Sequence, residues 1–175
     1  MKRVIKIFAF SLIATLAIYG CNKSDDSTDV SVEGSYAGTL TTKSITGTLI
    51  GSSNATADIS KAGEGLIQVH CFGTELDTTF MLNYYENHDS VMVCLTDTAF
   101  QNTYGHMMGQ NNMSGGMMGA MHNGQTQWQN HMTNEHMAGD KHYGGFNMKD
   151  HTFGYTFHHY NGTNHTIMRF DGTKK

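Results

Sequence analysis

Residues 101–150 contain no leucine, isoleucine or valine. A segment that packs into a protein core normally contains branched aliphatic side chains, so their absence argues against a core-forming role. Glycine, asparagine, glutamine and histidine are abundant there instead, and such residues cannot offset the entropy lost when a chain becomes ordered. The sequence therefore predicts a long, largely irregular insert, mobile unless something binds it and separable from the folded domain.

The chain also lacks the sequence signatures of common enzyme sites. It has no glycine-rich phosphate loop, no Gly-x-Ser-x-Gly elbow and no His-Glu-x-x-His helix, and no pair of carboxylates stands out by its context. Since these patterns carry the chemistry of the usual hydrolases and nucleotide-dependent enzymes, we expect that the protein is not an enzyme.

Positive charge is scarce as well. Eleven lysines and arginines stand against 15 aspartates and glutamates, which gives a formal net charge of −4. Nucleic acid binding usually needs a basic surface, so nucleic acid is not an expected partner. An acidic protein is better suited to bind cations.

The apolar stretch at residues 7–19 is too short for a comfortable membrane span. It follows the basic residues Lys2, Arg3 and Lys6, an arrangement typical of a secretory signal. We therefore interpret residues 1–20 as a signal peptide and expect the mature chain to be exported.

The end of this signal, Ile18-Tyr19-Gly20-Cys21, resembles the bacterial lipobox, in which a small residue precedes a lipidated cysteine. The resemblance implies acyl chains on Cys21, each buried methylene contributing about 0.8 kcal/mol to membrane attachment. Residues 21–31 are polar and acidic, which predicts a flexible tether. We expect a lipid-anchored protein in the periplasm, at the outer membrane or at the cell surface. An ordinary cleaved signal with a free Cys21 is the alternative.

Outside the insert, short segments alternate apolar and polar residues and are separated by turn-forming residues, a pattern typical of antiparallel strands. The predicted strands are 34–42, 44–51, 56–61, 66–72, 77–85, 90–96, 152–160 and 165–171. Eight strands with short connections favour a closed barrel or a sandwich. The predicted fold is all-β: a small antiparallel up-and-down barrel or sandwich formed by a single domain, residues 32–175, interrupted by the 101–150 insert.

The segment 34–40, Gly-Ser-Tyr-Ala-Gly-Thr-Leu, and the meander after it resemble the small calycin-like, lipocalin-like barrels of bacterial lipoproteins. The resemblance covers about 32–97 and 152–172, and it implies an up-and-down barrel without assigning a functional residue. The insert is far longer than a usual hairpin loop, and long irregular loops are normally functional or disordered.

The insert is rich in the side chains that bind soft metal ions. Thioethers select Cu(I), and imidazole suits Cu, Zn and Ni. The composition resembles the Met- and His-rich segments of periplasmic copper- and silver-binding proteins, which implies copper(I) as the bound ion, with silver(I) or another soft or borderline metal possible. The candidate ligands are His106, Met107, Met108, Met113, Met117, Met118, Met121, His122, His131, Met132, His136, Met137, His142 and Met148. His-led binding of Zn, Ni or Cu(II), or no metal role, are the alternatives.

Two pairs of candidate ligands, Met118 with His122 and Met132 with His136, have the i,i+4 spacing that places side chains on one face of a helical turn. Trp128, the single tryptophan, lies in the middle of the insert. It either pins the insert to the barrel or covers a bound ion through a cation–π contact.

Cys71 and Cys94 are the thiols that remain after lipidation of Cys21. Export favours a disulfide between them. Strand alternation weakens this pairing, because Cys71 shares a face with Val69 while Cys94 alternates with Val93. Free buried thiols and copper thiolates are the alternatives.

The sequence therefore suggests an exported, lipid-anchored protein that binds or buffers copper(I) or silver(I) through a Met/His-rich loop. Its expected partners are metal ions and, through the anchor, the membrane. One alternative is a lipocalin-like barrel that binds a small apolar ligand, with the insert as a lid. Another is a surface interaction lipoprotein with no metal role.

Overall fold

The computed structural model describes residues 31–109, 124–161 and 164–175. These residues form eight strands and two helices, in the order β1 Gly34–Ser44, β2 Leu49–Gly63, β3 Leu66–Gly73, β4 Asp77–Asn87, β5 Ser90–Leu95, α1 Asp97–Tyr104, α2 Gln127–Glu135, β6 Gly144–Asn147, β7 Thr152–Asn161 and β8 Asn164–Lys174. Each strand pairs antiparallel with the next one, and β8 pairs with β1 to close a barrel. The predicted all-β, up-and-down architecture is confirmed, and it is compatible with a calycin-like fold.

The barrel interior is filled by side chains from alternate positions of the strands. On β3, Ile67, Val69 and Cys71 are fully buried, because successive side chains of a strand point to opposite faces. Aromatic rings fill the centre, where Phe146 stacks on Phe153 with ring centroids 4.6 Å apart. The interior is therefore mainly a packed core.

The predicted strand at 44–51 is wrong. Ser44 and Thr48 enclose a turn in which the Thr48 backbone N–H donates to the Ser44 hydroxyl over 3.1 Å, and Gly47 has a φ of 87°. Glycine adopts such a φ without strain. A single strand, β2, then runs from Leu49 to Gly63 and replaces the two predicted segments.

Within the described residues, the insert contains regular elements that the sequence did not predict. It contains the end of α1, all of α2 and the strand β6. β6 pairs with both β5 and β7, and its Phe146 is buried in the barrel core. Aromatic and imidazole rings supply the buried surface that branched aliphatic residues usually provide. The barrel therefore includes part of the insert.

Cys71 and Cys94 are both free and buried, so the candidate disulfide is not formed. Cys71 belongs to the core inside the barrel. Cys94 alternates on β5 with the core residues Val91 and Val93, and its sulfur contacts His136 of the insert. The two thiols point to opposite faces of the sheet, which a disulfide cannot bridge.

Residues 1–30 lie outside the described part of the chain, and with them the predicted signal, Cys21 and most of the tether. Over the residues that are described, no helix has the length and apolar character needed to cross a membrane.

Candidate metal centre

Helix α2 is fixed against the outer face of the barrel at its first turn. The Thr126 hydroxyl accepts from the Gln129 backbone N–H over 3.2 Å, and the Gln129 side chain accepts from the Thr126 backbone N–H over 3.1 Å. This capping box satisfies two backbone donors that a helix start otherwise leaves unpaired. Thr126 also donates to Asn87, and Gln127 accepts from the Glu86 backbone N–H, both at the end of β4. The start of the helix is thereby attached to the barrel.

The helix places His131 against the barrel wall. Its ring stacks on Tyr85 of β4 with centroids 3.8 Å apart, and 2% of the residue is exposed. Its Nδ1 lies 2.9 Å from a Glu135 carboxylate oxygen, one turn further along α2. Stacking and hydrogen bonding together hold the ring with its Nε2 next to Nε2 of His136.

α2 ends at Glu135, and the next residue, His136, has extended backbone with φ −109° and ψ 154°. Its ring is buried and packs edge-on against Phe100 and Tyr104 of α1. Its Nδ1 lies 3.0 Å from Asp140 Oδ2. The change from helix to extended chain turns Nε2 of His136 towards His131.

Three potential metal ligands converge at this point. Nε2 of His136 lies 3.0 Å from Nε2 of His131 and 3.4 Å from Sγ of Cys94. The three ligand atoms all lie within 4.8 Å of one another, and the three residues are buried. Ligands held about 2.0–2.3 Å from one metal ion lie roughly 3.3–3.9 Å apart. The observed cluster is close to the size that an ion requires.

The carboxylates decide which nitrogen of each imidazole faces the cluster. A carboxylate accepts the Nδ1 hydrogen of His131 and of His136, which leaves each neutral ring with a lone pair on Nε2. Two lone pairs 3.0 Å apart repel each other unless a proton or a cation lies between them. Carboxylate-oriented imidazoles are a recurring feature of metal sites. The arrangement therefore suits a cation.

Burial shifts the pKa of two of the ligands, His136 and Cys94. Burial is the largest cause that lowers the pKa of His136. The hydrogen bond to Asp140 opposes this shift, and the nearby His131 adds to it. Burial raises the pKa of the Cys94 thiol to about 12, and the negative charge of Glu135 adds to this effect. The thiol is therefore protonated at neutral pH, and binding of a metal ion must release its proton.

Asp140 connects the cluster to His106, near the start of the insert. One of its oxygens, Oδ2, accepts from the Met137 backbone N–H over 2.9 Å and from His106 and His136 over 3.0 Å each. Burial opposes ionisation of Asp140, but these three donors hold its pKa below the usual value. A negative charge thus lies directly behind the His136 ring.

His106 is a support for the cluster and not one of its ligands. Its Nδ1 donates to the Met107 carbonyl and its Nε2 to Asp140, both over 3.0 Å. These two acceptors, the carbonyl first, raise the pKa of His106 and favour the imidazolium. Both nitrogens are occupied, so neither is available to bind a metal ion.

No protein-family model matches the chain. Neither the curated proteins nor the solved structures give a match either. The chemistry of the cluster itself is therefore the basis for any functional assignment.

The other candidate ligands fall into several groups. Met113, Met117, Met118, Met121 and His122 lie outside the described residues, as does the predicted Met118–His122 pair. Met107 and Met108 line an open pocket of about 250 Å³ beside α1. Met137 is exposed, and Met132 is half-buried on α2. The predicted Met132–His136 spacing does not fall within one helix, because α2 ends between them.

Met148 lies away from the cluster, and its role as a metal ligand stays a prediction. It follows β6 next to the Ser90 end of β5, whereas Cys94 is near the other end of that strand. Its side chain packs against the barrel core.

Sequence reasoning missed the two carboxylates, although a signal for them exists. Residues 131–135 read His-Met-Thr-Asn-Glu and residues 136–140 read His-Met-Ala-Gly-Asp. Each pentad begins with His-Met and ends with an acidic residue, and each acidic residue is hydrogen-bonded to the histidine of its own pentad. The sequence allows a copper thiolate at Cys94 but does not connect Cys94 to these histidines. Its position depends on strand pairing that the pattern does not show.

The orienting role of Asp140 is testable. Asp140→Asn keeps the shape of the side chain but removes the charge behind His136, and we expect metal affinity to fall about 10- to 100-fold. Isothermal titration or chelator competition with the purified domain measures this change. Asp150→Asn is the matched control, because Asp150 contacts Asn147 in a turn away from the cluster. Equal affinities of the two variants would remove Asp140 from the site.

Proposed function

We propose that this protein is an exported, lipid-anchored copper(I)- or silver(I)-binding protein that holds the ion at Cys94, His131 and His136. The observation that carries the proposal is the convergence of one sulfur and two imidazole nitrogens within 4.8 Å in a buried position. Carboxylates orient both imidazoles, as the ligands of a metal site require.

The ligand types favour a soft monovalent ion. Thiolate and thioether sulfur select Cu(I), and imidazole is compatible with it. Silver(I) shares this softness. Two exposed methionines are chain neighbours of the site: Met107 follows His106, and Met137 follows His136. In this proposal the exposed methionines make the first contact with an arriving ion, and the buried ligands retain it. The role is buffering or sequestration.

Removal of the Cys94 sulfur tests the site. We expect the purified domain to bind one tight equivalent of Cu(I) in anaerobic competition with a chromophoric Cu(I) chelator. Cys94→Ala should lose this equivalent, because two imidazoles without sulfur bind Cu(I) less well. Cys71→Ala is the matched control: it removes the same atoms from a second buried thiol, but from inside the barrel. If Cys94→Ala and the wild type bind Cu(I) equally tightly, the proposed site is wrong.

The membrane anchor is tested separately. Because Ile18-Tyr19-Gly20-Cys21 resembles a lipobox, Cys21→Ala in the full chain should move the protein from the membrane fraction to the soluble fraction of a Gram-negative host. Fractionation without detergent and immunoblotting measures the distribution, and Cys71→Ala should remain with the membranes. A Cys21→Ala protein that partitions like the wild type would show that attachment does not depend on this cysteine.

A specific feature also favours the second candidate function, a barrel that binds a small apolar ligand. A pocket of about 530 Å³ lies next to Phe80, Tyr155 and Phe157, with His158 and His165 at its edge. The histidines are 3.0 Å apart between ring nitrogens. The rest of the interior is packed, so the pocket suits only a small aromatic or apolar molecule. Binding of a fluorescent apolar probe that Phe157→Ala weakens and Cu(I) leaves unchanged would support this alternative.

A further inference from the structure

The ring of His142 packs next to the cluster, but the proposed three-ligand site does not use it. Both of its ring nitrogens are buried, and neither has a hydrogen-bond partner among the described residues. Buried polar atoms in folded proteins nearly always have a partner, so an imidazole with two unpaired nitrogens needs an explanation. A metal ligand with no ion beside it is one such explanation.

The position of His142 agrees with this explanation. Its ring packs edge-on against His136 with centroids 4.6 Å apart, and edge-on against Trp128 with centroids 4.5 Å apart. Trp128 in turn contacts His131. The ring of His142 is therefore in contact with one ligand and shares a neighbour with a second. Trp128 also contacts Tyr85 of β4, which agrees with its predicted role of pinning the insert to the barrel.

His142 is not yet within the group of three ligand atoms that lie within 4.8 Å of one another. It belongs to the irregular segment between α2 and β6, outside the hydrogen-bonded ladder of the barrel. The ladder is joined at the next residue, Tyr143, whose carbonyl accepts from the Thr156 backbone N–H. We expect a rotation of the His142 side chain to bring a nitrogen towards the cluster without a change in the barrel.

We propose that His142 is the fourth ligand when the centre holds a divalent ion such as Zn²⁺ or Co²⁺, and that copper(I) is held by the other three ligands alone. This inference rests on the proposed function, because it assumes that Cys94, His131 and His136 bind metal. Zn²⁺ in proteins is almost always bound by four nitrogen or sulfur ligands in a tetrahedron, whereas Cu(I) is selected by soft sulfur. His142 therefore determines how well divalent ions compete with copper.

In both modes the Cys94 S–H bond breaks, the proton passes to solvent, and the sulfur electron pair binds the ion. No electron transfer is involved. The modes differ in the number of imidazoles bound: two for the monovalent ion and three for the divalent ion. The presence of His142 should thus change the affinity for one class of ion only.

The test compares two metals on one variant. His142→Phe keeps an aromatic ring against Trp128 and removes both nitrogens. Co²⁺ is the spectroscopic probe, because tetrahedral Co²⁺ absorbs visible light much more strongly than five- or six-coordinate Co²⁺. We expect the variant to lose most of this absorption and to bind Co²⁺ and Zn²⁺ at least about tenfold more weakly. Its Cu(I) affinity should stay within about twofold of the wild type.

His159→Phe is the matched control, because His159 is exposed on β7. It should keep the wild-type Co²⁺ spectrum and both affinities. Thermal melts of the metal-free variants check that each is folded, and His142→Asn serves as a second variant if Phe does not fit.

Two results would overturn the inference alone: a Co²⁺ spectrum that His142→Phe leaves unchanged, or equal losses of Co²⁺ and Cu(I) affinity. In either case Cys94→Ala still abolishes tight Cu(I) binding. If Cys94→Ala leaves the binding of both metals unchanged, the proposed function fails as well. The Cys94 and His142 variants therefore distinguish a failure of the His142 inference from a failure of the proposed function.

Discussion

Replacing residues 101–150 with a short Gly/Ser turn is expected to leave the protein without a folded barrel. The replacement removes β6, which pairs with β5 on one side and β7 on the other. Both neighbours would then present an unpaired edge, and the buried Phe146 would be lost from the core. Truncation of a buried Phe alone costs about 3–5 kcal/mol, a large share of the 5–15 kcal/mol that stabilises a typical domain. Circular dichroism and a thermal melt measure the result.

The matched control keeps the length of the chain and changes only candidate ligands outside the described residues. Replacing Met113, Met117, Met118, Met121 and His122 with serine should leave the cooperative melt in place. The tight Cu(I) equivalent should also remain, because Cys94, His131 and His136 are all unchanged. A folded, cooperatively melting protein after removal of 101–150 would show instead that β6 is dispensable for the barrel.

Strand alternation was sufficient to predict the fold class, but it failed at two places for identifiable reasons. β6 has four residues, of which Gly144 and Gly145 have no side chain, so it shows no alternation. The segment 44–51 does alternate, but its hydroxyl side chains bond to one another and form a turn. The two errors cancel in the number of strands. They do not cancel in the pairing, since the sixth strand comes from the insert.

The sequence indicates which residue types could bind a metal, but not which of those residues the fold brings together. The density of histidines drew attention to His131 and His136, which the fold brings together with Cys94. The composition did not distinguish them from His106, whose two nitrogens donate to a carbonyl and to Asp140. It also did not connect Cys94 to the insert, because that contact joins residues 42 positions apart in the chain. Such contacts depend on where α2 docks, and Thr126 and Gln127 determine this through single hydrogen bonds.

Saturation with Cu(I) is expected to raise the free energy of unfolding substantially. The three ligands come from β5, from α2 and from the chain after α2, so they meet only in the folded protein. An ion that binds the folded state alone stabilises it by about 4 kcal/mol when its free concentration is a thousand times the dissociation constant. For a domain of about 150 residues this corresponds to a rise in Tm of roughly 10 °C. Anaerobic thermal melts with buffered Cu(I) measure the increase.

The quantity to compare between variants is the rise in Tm that Cu(I) causes, since each cysteine substitution also changes the stability of the metal-free protein. Cys94→Ala should lose most of the increase, because the remaining imidazoles bind Cu(I) weakly. Cys71→Ala should keep it, although this substitution leaves a small cavity inside the barrel and lowers the starting stability. An equal increase in both variants would place the stabilising ion elsewhere. No increase even in the wild type would contradict the proposed site, because an ion held only by the folded protein must raise its free energy of unfolding.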